Sequence, residues 1–361
     1  MTLLRSILLI VFLGQISAVC QDLPKNIIFL IGDGMGVNYV AASFFDDENN
    51  PYKEFKSLGL ANTASLDRLI TDSGAGATVL ATGYRTINRY ISVDSSGKPL
   101  KTLFQIAKEK GKALGLISTS SVTHATPAAF YAHIDNRGRE TDIAVQLSES
   151  DVDIIIGGGT QFFLPDVLGG SRKDDINVIE KMQFKGYSWL NNFDHQLISS
   201  AERVLCLMEK NGLKHASDRN FSLGNFTKAA IDNLRSNENG FVIMIEGSQI
   251  DWAGHDNIQD YLLSEMRDFN TAITESLNFA KEDGNTLIVI TADHETGGMA
   301  ITGVDVDGKN LKLGFVSKSH TAGFVPVFSY GPFSENFQGI LENFEIGRKL
   351  ILLIDPTYIF E

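Results

Sequence analysis

Six short apolar runs limit how this chain can fold. They cover residues 25–31 (KNIIFLI), 113–118, 152–156, 241–245, 286–290 and 325–329, and most are dense in Ile, Val and Leu. Runs with so little polar alternation suit strands covered on both faces, as in parallel sheets. Between them lie segments of helical spacing at 103–110, 142–147, 227–234 and 261–281. Alternating strand and helix predicts an α/β, doubly wound fold: a mostly parallel central sheet with helices on both faces. In such sheets ligands bind beyond the C-terminal ends of the strands.

The chain has 361 residues, 43% of them hydrophobic, which is enough for a sizeable core. We read residues 21–361 as one domain. The segment 157–224 is polar and turn-rich and reads as an excursion from the sheet. Residues 303–313 (GVDVDGKNLKL) read as a hairpin insertion turning at Asp307-Gly308. Residues 1–20 have Arg5, an apolar stretch over 7–13 too short to span a bilayer, and small residues at Ala18-Val19. They read as a signal peptide, which predicts export to the periplasm or medium and no transmembrane anchor after processing. Cys206 is then the one thiol left for certain. Its setting, ERVLCLMEK, reads as a helix with Cys206 in the core. A net charge of −13 without a basic run argues against a nucleic-acid surface.

Candidate chemistry gathers at the predicted strand ends. Asp33 follows the first run, flanked by Gly32 and Gly34. Glu246 ends the fourth, and Asp293-His294 follows the fifth. Alone, each is as easily a turn residue. Asp251 and His255 are four apart, so one helical turn puts both on one face, a spacing that suits zinc. His320 is a lone histidine in a predicted loop. Ser73 follows Asp72 and precedes the small-residue stretch GAGATVLATG, so it lies at a helix N-terminus, where free N–H groups favour phosphate. Read alone, that fragment favours a plain capping serine. Arg137 offers a planar fork for phosphate oxygens, although Arg139 beside it shows how little one arginine says. Taken together, a hydroxyl among carboxylates and imidazoles points to metal-assisted attack on phosphorus.

Six ordered segments, NIIFLIGDGMG, TDSGAGATVLATG, THATPAAFYAHIDNR, MIEGSQIDWAGH, TLIVITADHETGG and SHTAGFVPVFSYGP, span nearly the whole chain. They resemble alkaline phosphatases, and the compact length, His124 and Trp252 resemble the short bacterial branch from marine and cold environments. The resemblance implies hydrolysis of phosphate monoesters at alkaline pH through a phosphoserine on Ser73, with two Zn²⁺ and one Mg²⁺. It assigns Asp251, His255 and His320 to the first zinc, and Asp33, Asp293 and His294, with Ser73, to the second. It assigns Asp33, Thr126 and Glu246 to magnesium. Arg137 would grip the phosphate, with Asp72 orienting it. His124 and Trp252 stand where the enteric form has Asp and Lys, so the third metal and phosphate affinity are where this chain would differ. The resemblance also implies small phosphomonoester substrates and a homodimer. A phosphodiesterase or sulfatase of the same superfamily, or a binding protein without turnover, are the competing readings.

Overall fold

The computed structural model describes residues 23–305 and 310–360. The expected signal segment and the Asp307-Gly308 turn lie outside these. Fourteen strands are found among the described residues: β1 Asn26–Gly32, β2 Ser57–Asn62, β3 Ala113–Ser121, β4 Ile154–Gly158, β5 Tyr187–Leu190, β6 Arg203–Leu207, β7 Phe241–Gly247, β8 Thr286–Thr291, β9 Glu295–Thr296, β10 Ala300–Val304, β11 Leu311–Gly314, β12 His320–Thr321, β13 Val325–Tyr330 and β14 Gly339–Glu342. Ten of them form one sheet in the order β14-β2-β13-β8-β1-β7-β3-β4-β6-β5. Every pairing in it is parallel except those of β13, which runs antiparallel to both β2 and β8. The sheet is therefore the mostly parallel one expected, with β13 as the exception.

β1, β7 and β8 are buried along their whole length, which is why they read as unbroken apolar runs. The predicted helices are present, most of them longer than expected: Leu103–Glu109, Glu140–Glu149, Leu223–Leu234 and Gln259–Asp283. The longest buries Leu262, Met266, Phe269, Ile273 and Leu277, a stripe at helical spacing.

Two expectations are corrected. Residues 157–224 do not leave the sheet but supply β5 and β6, which extend it beyond β4. The run around Cys206 is strand β6, not helix. Cys206 is fully buried as expected, and burial pushes its thiol up to about 12. A short apolar run has no period that separates the two structures, and here the open edge of β4 decides. β10 and β11 pair antiparallel, the arrangement expected of the two arms of the hairpin.

Candidate metal and phosphate site

The strand order assembles the site. β8, β1, β7 and β3 are neighbours, and Ile31 is in register with Thr291 on one side and Glu246 on the other. Asp33, Asp293 and Glu246 thus meet at one rim although more than two hundred residues separate the first from the other two. All three are fully or almost fully buried.

Two glycines let the backbone come this close. Gly34 has φ 71°, and a Cβ there would fall 2.9 Å from Asp251 Oδ1. A Cβ on Gly76 would fall 2.9 Å from the Asp293 carbonyl oxygen. Gly76 lies in the helix Ser73–Thr82, whose N-cap is Asp72, accepting from the Ala75 N–H. Ser73 is its first residue, as the sequence predicts. Gly76→Ala is expected to push this helix away from the Asp293 loop. Steady-state kinetics should show kcat/KM down by about tenfold or more, with only a few degrees lost in melting temperature.

Three histidines present the same nitrogen to the carboxylates. His255 donates from Nδ1 to the Lys318 carbonyl (2.7 Å), and His320 from Nδ1 to the Thr71 carbonyl (2.9 Å). Thr296 donates its hydroxyl to Asp251, so at 3.3 Å its oxygen accepts from His294 Nδ1. Each ring therefore keeps a proton on Nδ1 and turns Nε2 toward the carboxylates. His255 and His320 Nε2 are 3.1 Å apart and lie 3.4 and 3.6 Å from Asp251. His294 Nε2 is 3.4 Å from Asp33, 3.3 Å from Asp293 and 3.2 Å from Ser73 Oγ. The predicted loop around His320 is a two-residue strand, β12, paired with β9.

Glu246 accepts from Ser118 (2.6 Å), and Thr126 Oγ1 lies 3.5 Å from Asp33 Oδ2. Arg137 donates to Asp72 Oδ2 (2.9 Å) and to His124 Nε2 (3.1 Å). A guanidinium only donates, so His124 also carries its proton on Nδ1. Trp252 is half-buried on the helix Gln249–Asp256 and meets the His124 ring edge-on, with centroids 6.2 Å apart. All thirteen residues singled out from the sequence thus lie at one locus. The orienting groups Ser118, Thr296 and the Thr71 and Lys318 carbonyls were not foreseen. Thr296, two residues beyond His294 in TADHETGG, and Thr71, which opens TDSGAGATVLATG, lay inside conspicuous segments.

The electrostatics fit divalent cations. Burial first, then Asp293, Asp251 and Glu246, push the Asp33 carboxyl well above its usual range. Burial likewise raises Glu246 to about 7, against hydrogen bonds from Ser118 and Ser248. Asp33 Oδ1, Asp293 Oδ2 and Glu246 Oε1 are buried without a hydrogen-bond partner, a costly arrangement for anions unless a cation faces them. Burial lowers His294 to about 4, so it is neutral and competent as a ligand. The hydrogen bond to Asp251 raises His255 to about 9; a bound cation would take that proton's place. Three donor groups have ligand atoms within 4.8 Å of one another: Asp251, His294 and His320; Asp33, Asp293 and His294; and Asp33, His124 and Glu246. The last includes His124, whose one lone pair, on Nε2, already accepts from Arg137, so it would ligate only once that hydrogen bond is released.

A buried serine, next in sequence to an aspartate that holds an arginine and bordered by such donor sets on this α/β rim, suits a metal-binding hydrolase of phosphate esters. The family model for alkaline phosphatase matches residues 24–313. Alkaline phosphatase 3 of Bacillus subtilis is 34% identical, over 91% of this chain and 89% of its own. The structure of alkaline phosphatase from the Antarctic bacterium TAB5 superposes with a TM-score of 0.88 at 38% identity, covering 94% of this chain and all of that one. A variant of the TAB5 enzyme, with one histidine changed to glutamate, has Mg bound in its M3 site (TM-score 0.87, 37% identity, 94% of this chain and 100% of that one). The chain belongs to the alkaline phosphatase family, and it is a phosphomonoester hydrolase.

Proposed function

We propose that Ser73 Oγ attacks the phosphorus of a phosphate monoester. The bond to the leaving alcohol breaks as a phosphoserine forms, and water then releases inorganic phosphate. The observation that carries this is the contact of Ser73 Oγ with His294 Nε2 at 3.2 Å, at the edge of the buried donor sets. Asp251, His255 and His320 would hold one zinc. Asp33, Asp293 and His294, with Ser73, would hold the second, and Asp33, Thr126 and Glu246 would hold magnesium, with His124 beside them. Bound divalent cations would supply the positive charge that balances the phosphoryl oxygens and favours the ionised serine.

Arg137 would take two phosphoryl oxygens in its fork. Asp72 holds that fork in place and is itself held below its usual range, because the charge of Arg137 and N–H groups from Arg89 and Ala75 outweigh burial. Export after removal of residues 1–20, a single catalytic domain over 21–361 and a homodimer complete the reading.

Comparing p-nitrophenyl phosphate with bis-p-nitrophenyl phosphate and p-nitrophenyl sulfate tests it. Strong monoester preference supports it; preference for diester or sulfate would sink it. Trp252 puts an indole, not a cation, beside this site. Trp252→Lys is therefore expected to tighten inhibition by inorganic phosphate about three- to tenfold, read as the inhibition constant; an unchanged or larger constant counts against that role.

A further inference from the structure

Arg89 is not accounted for by folding alone. Its φ is 75°, a backbone region that disfavours any residue with a Cβ. Its backbone is fastened to both phosphate-side residues: its N–H donates to Asp72 Oδ1 (3.0 Å), and its carbonyl accepts from the Arg137 N–H (2.9 Å). The side chain is exposed and donates to the neutral Asn136 Oδ1 at 3.0 Å. Among the described residues, nine of the ten other arginines pair with a carboxylate. The tenth, Arg348, lies over aromatic rings. Arg89 has neither kind of partner, in a chain whose net charge is −13. The Arg89 guanidinium instead rests on Asn136, the residue before Arg137, free of any carboxylate or aromatic partner.

We propose that Arg89 is a specificity residue that binds a second phosphate on the leaving-group side, so that the site favours diphosphates over esters with one phosphate. This rests on the reading of Ser73 and Arg137 above. With inorganic pyrophosphate, the Ser73 Oγ–P bond forms as the bridging P–O bond breaks. The second phosphate departs with that electron pair, held by Arg89 until release. Water then frees the first phosphate, so one water is consumed in all.

The test is the ratio of kcat/KM for pyrophosphate to that for p-nitrophenyl phosphate in wild type, Arg89→Gly and Arg89→Lys. Glycine suits the local φ, so Arg89→Gly removes the side chain without straining the backbone that holds Asp72. The ratio is expected to fall about three- to tenfold in Arg89→Gly, mainly through KM, and to be largely kept in Arg89→Lys. Equal changes for both substrates in Arg89→Gly, or a fall in Arg89→Lys as large as in Arg89→Gly, would overturn the proposal. Fructose 1,6-bisphosphate, whose second phosphate is remote, distinguishes the sources: a fall for it but not for pyrophosphate also overturns the diphosphate assignment. Ser73→Ala assayed alongside keeps the two readings apart, because its full activity would remove the nucleophile whatever the ratio does.

Discussion

Ser73→Ala is expected to lower kcat for p-nitrophenyl phosphate by about 10³-fold or more, with the melting temperature within about 1 °C of wild type. The two halves of this result have separate causes. Ser73 is the first residue of its helix, but Asp72 caps that helix, so truncation leaves the cap intact. Its hydroxyl makes one side-chain contact, with His294 Nε2. On the proposed mechanism the chemistry would lose its attacking oxygen, while Arg137 and the donor sets would remain to bind substrate. Denaturing gels after a pulse of labelled phosphomonoester read the covalent step directly: label stays on the wild-type protein at acid quench and is absent from the variant. A variant keeping a tenth of wild-type kcat would remove Ser73 as nucleophile.

Chelation is expected to abolish activity and also to lower the melting temperature by roughly 10 °C or more at pH 8. A ligand at a thousand times its Kd stabilises by about 4 kcal/mol per site, and three sites are proposed. The metal-free protein also carries an electrostatic cost. Asp33, Glu246 and Asp293 are buried together, and Glu246 has its proton affinity raised to about 7 in the folded chain. A carboxyl raised in this way favours the folded state while it is protonated. That contribution is complete below the unfolded value near 4.5 and is lost as pH rises through about 7. The metal-free protein should therefore melt lower at pH 8 than at pH 5.5. Differential scanning calorimetry with and without zinc and magnesium checks both points. A melting temperature that does not respond to chelator, in protein shown by elemental analysis to have lost its metals, would rule out these sets as structural cation sites.

The legible parts of the fold were those with a one-dimensional signature. β1, β7 and β8 sit in the middle of the sheet, so both faces demanded apolar residues and the runs were continuous. The helix Gln259–Asp283 wrote its buried stripe at every third or fourth position. Edge strands lacked such a mark. β14 is largely exposed, and β5 is apolar only in part, so neither stood out. β13 contains Pro326 and pairs antiparallel on both sides. An apolar run does not encode its direction, which is set by the connection that delivers it.

Chemical identity at the site belonged to the sequence. Asp33, Glu246 and Asp293-His294 had to lie at strand ends, Asp251 and His255 had to share a helical face, and Asp72-Ser73 had to open a helix, because local hydrogen bonding and side-chain period depend on neighbours in the chain. Tertiary structure alone decided which of them touch. The order β8-β1-β7-β3 makes neighbours of carboxylates far apart in the chain. Backbone carbonyls at Thr71 and Lys318 choose the histidine tautomers, and the Arg89 backbone ties Asp72 to Arg137. These are contacts between distant segments, and their energies depend on burial and distance, which no local stretch of sequence contains.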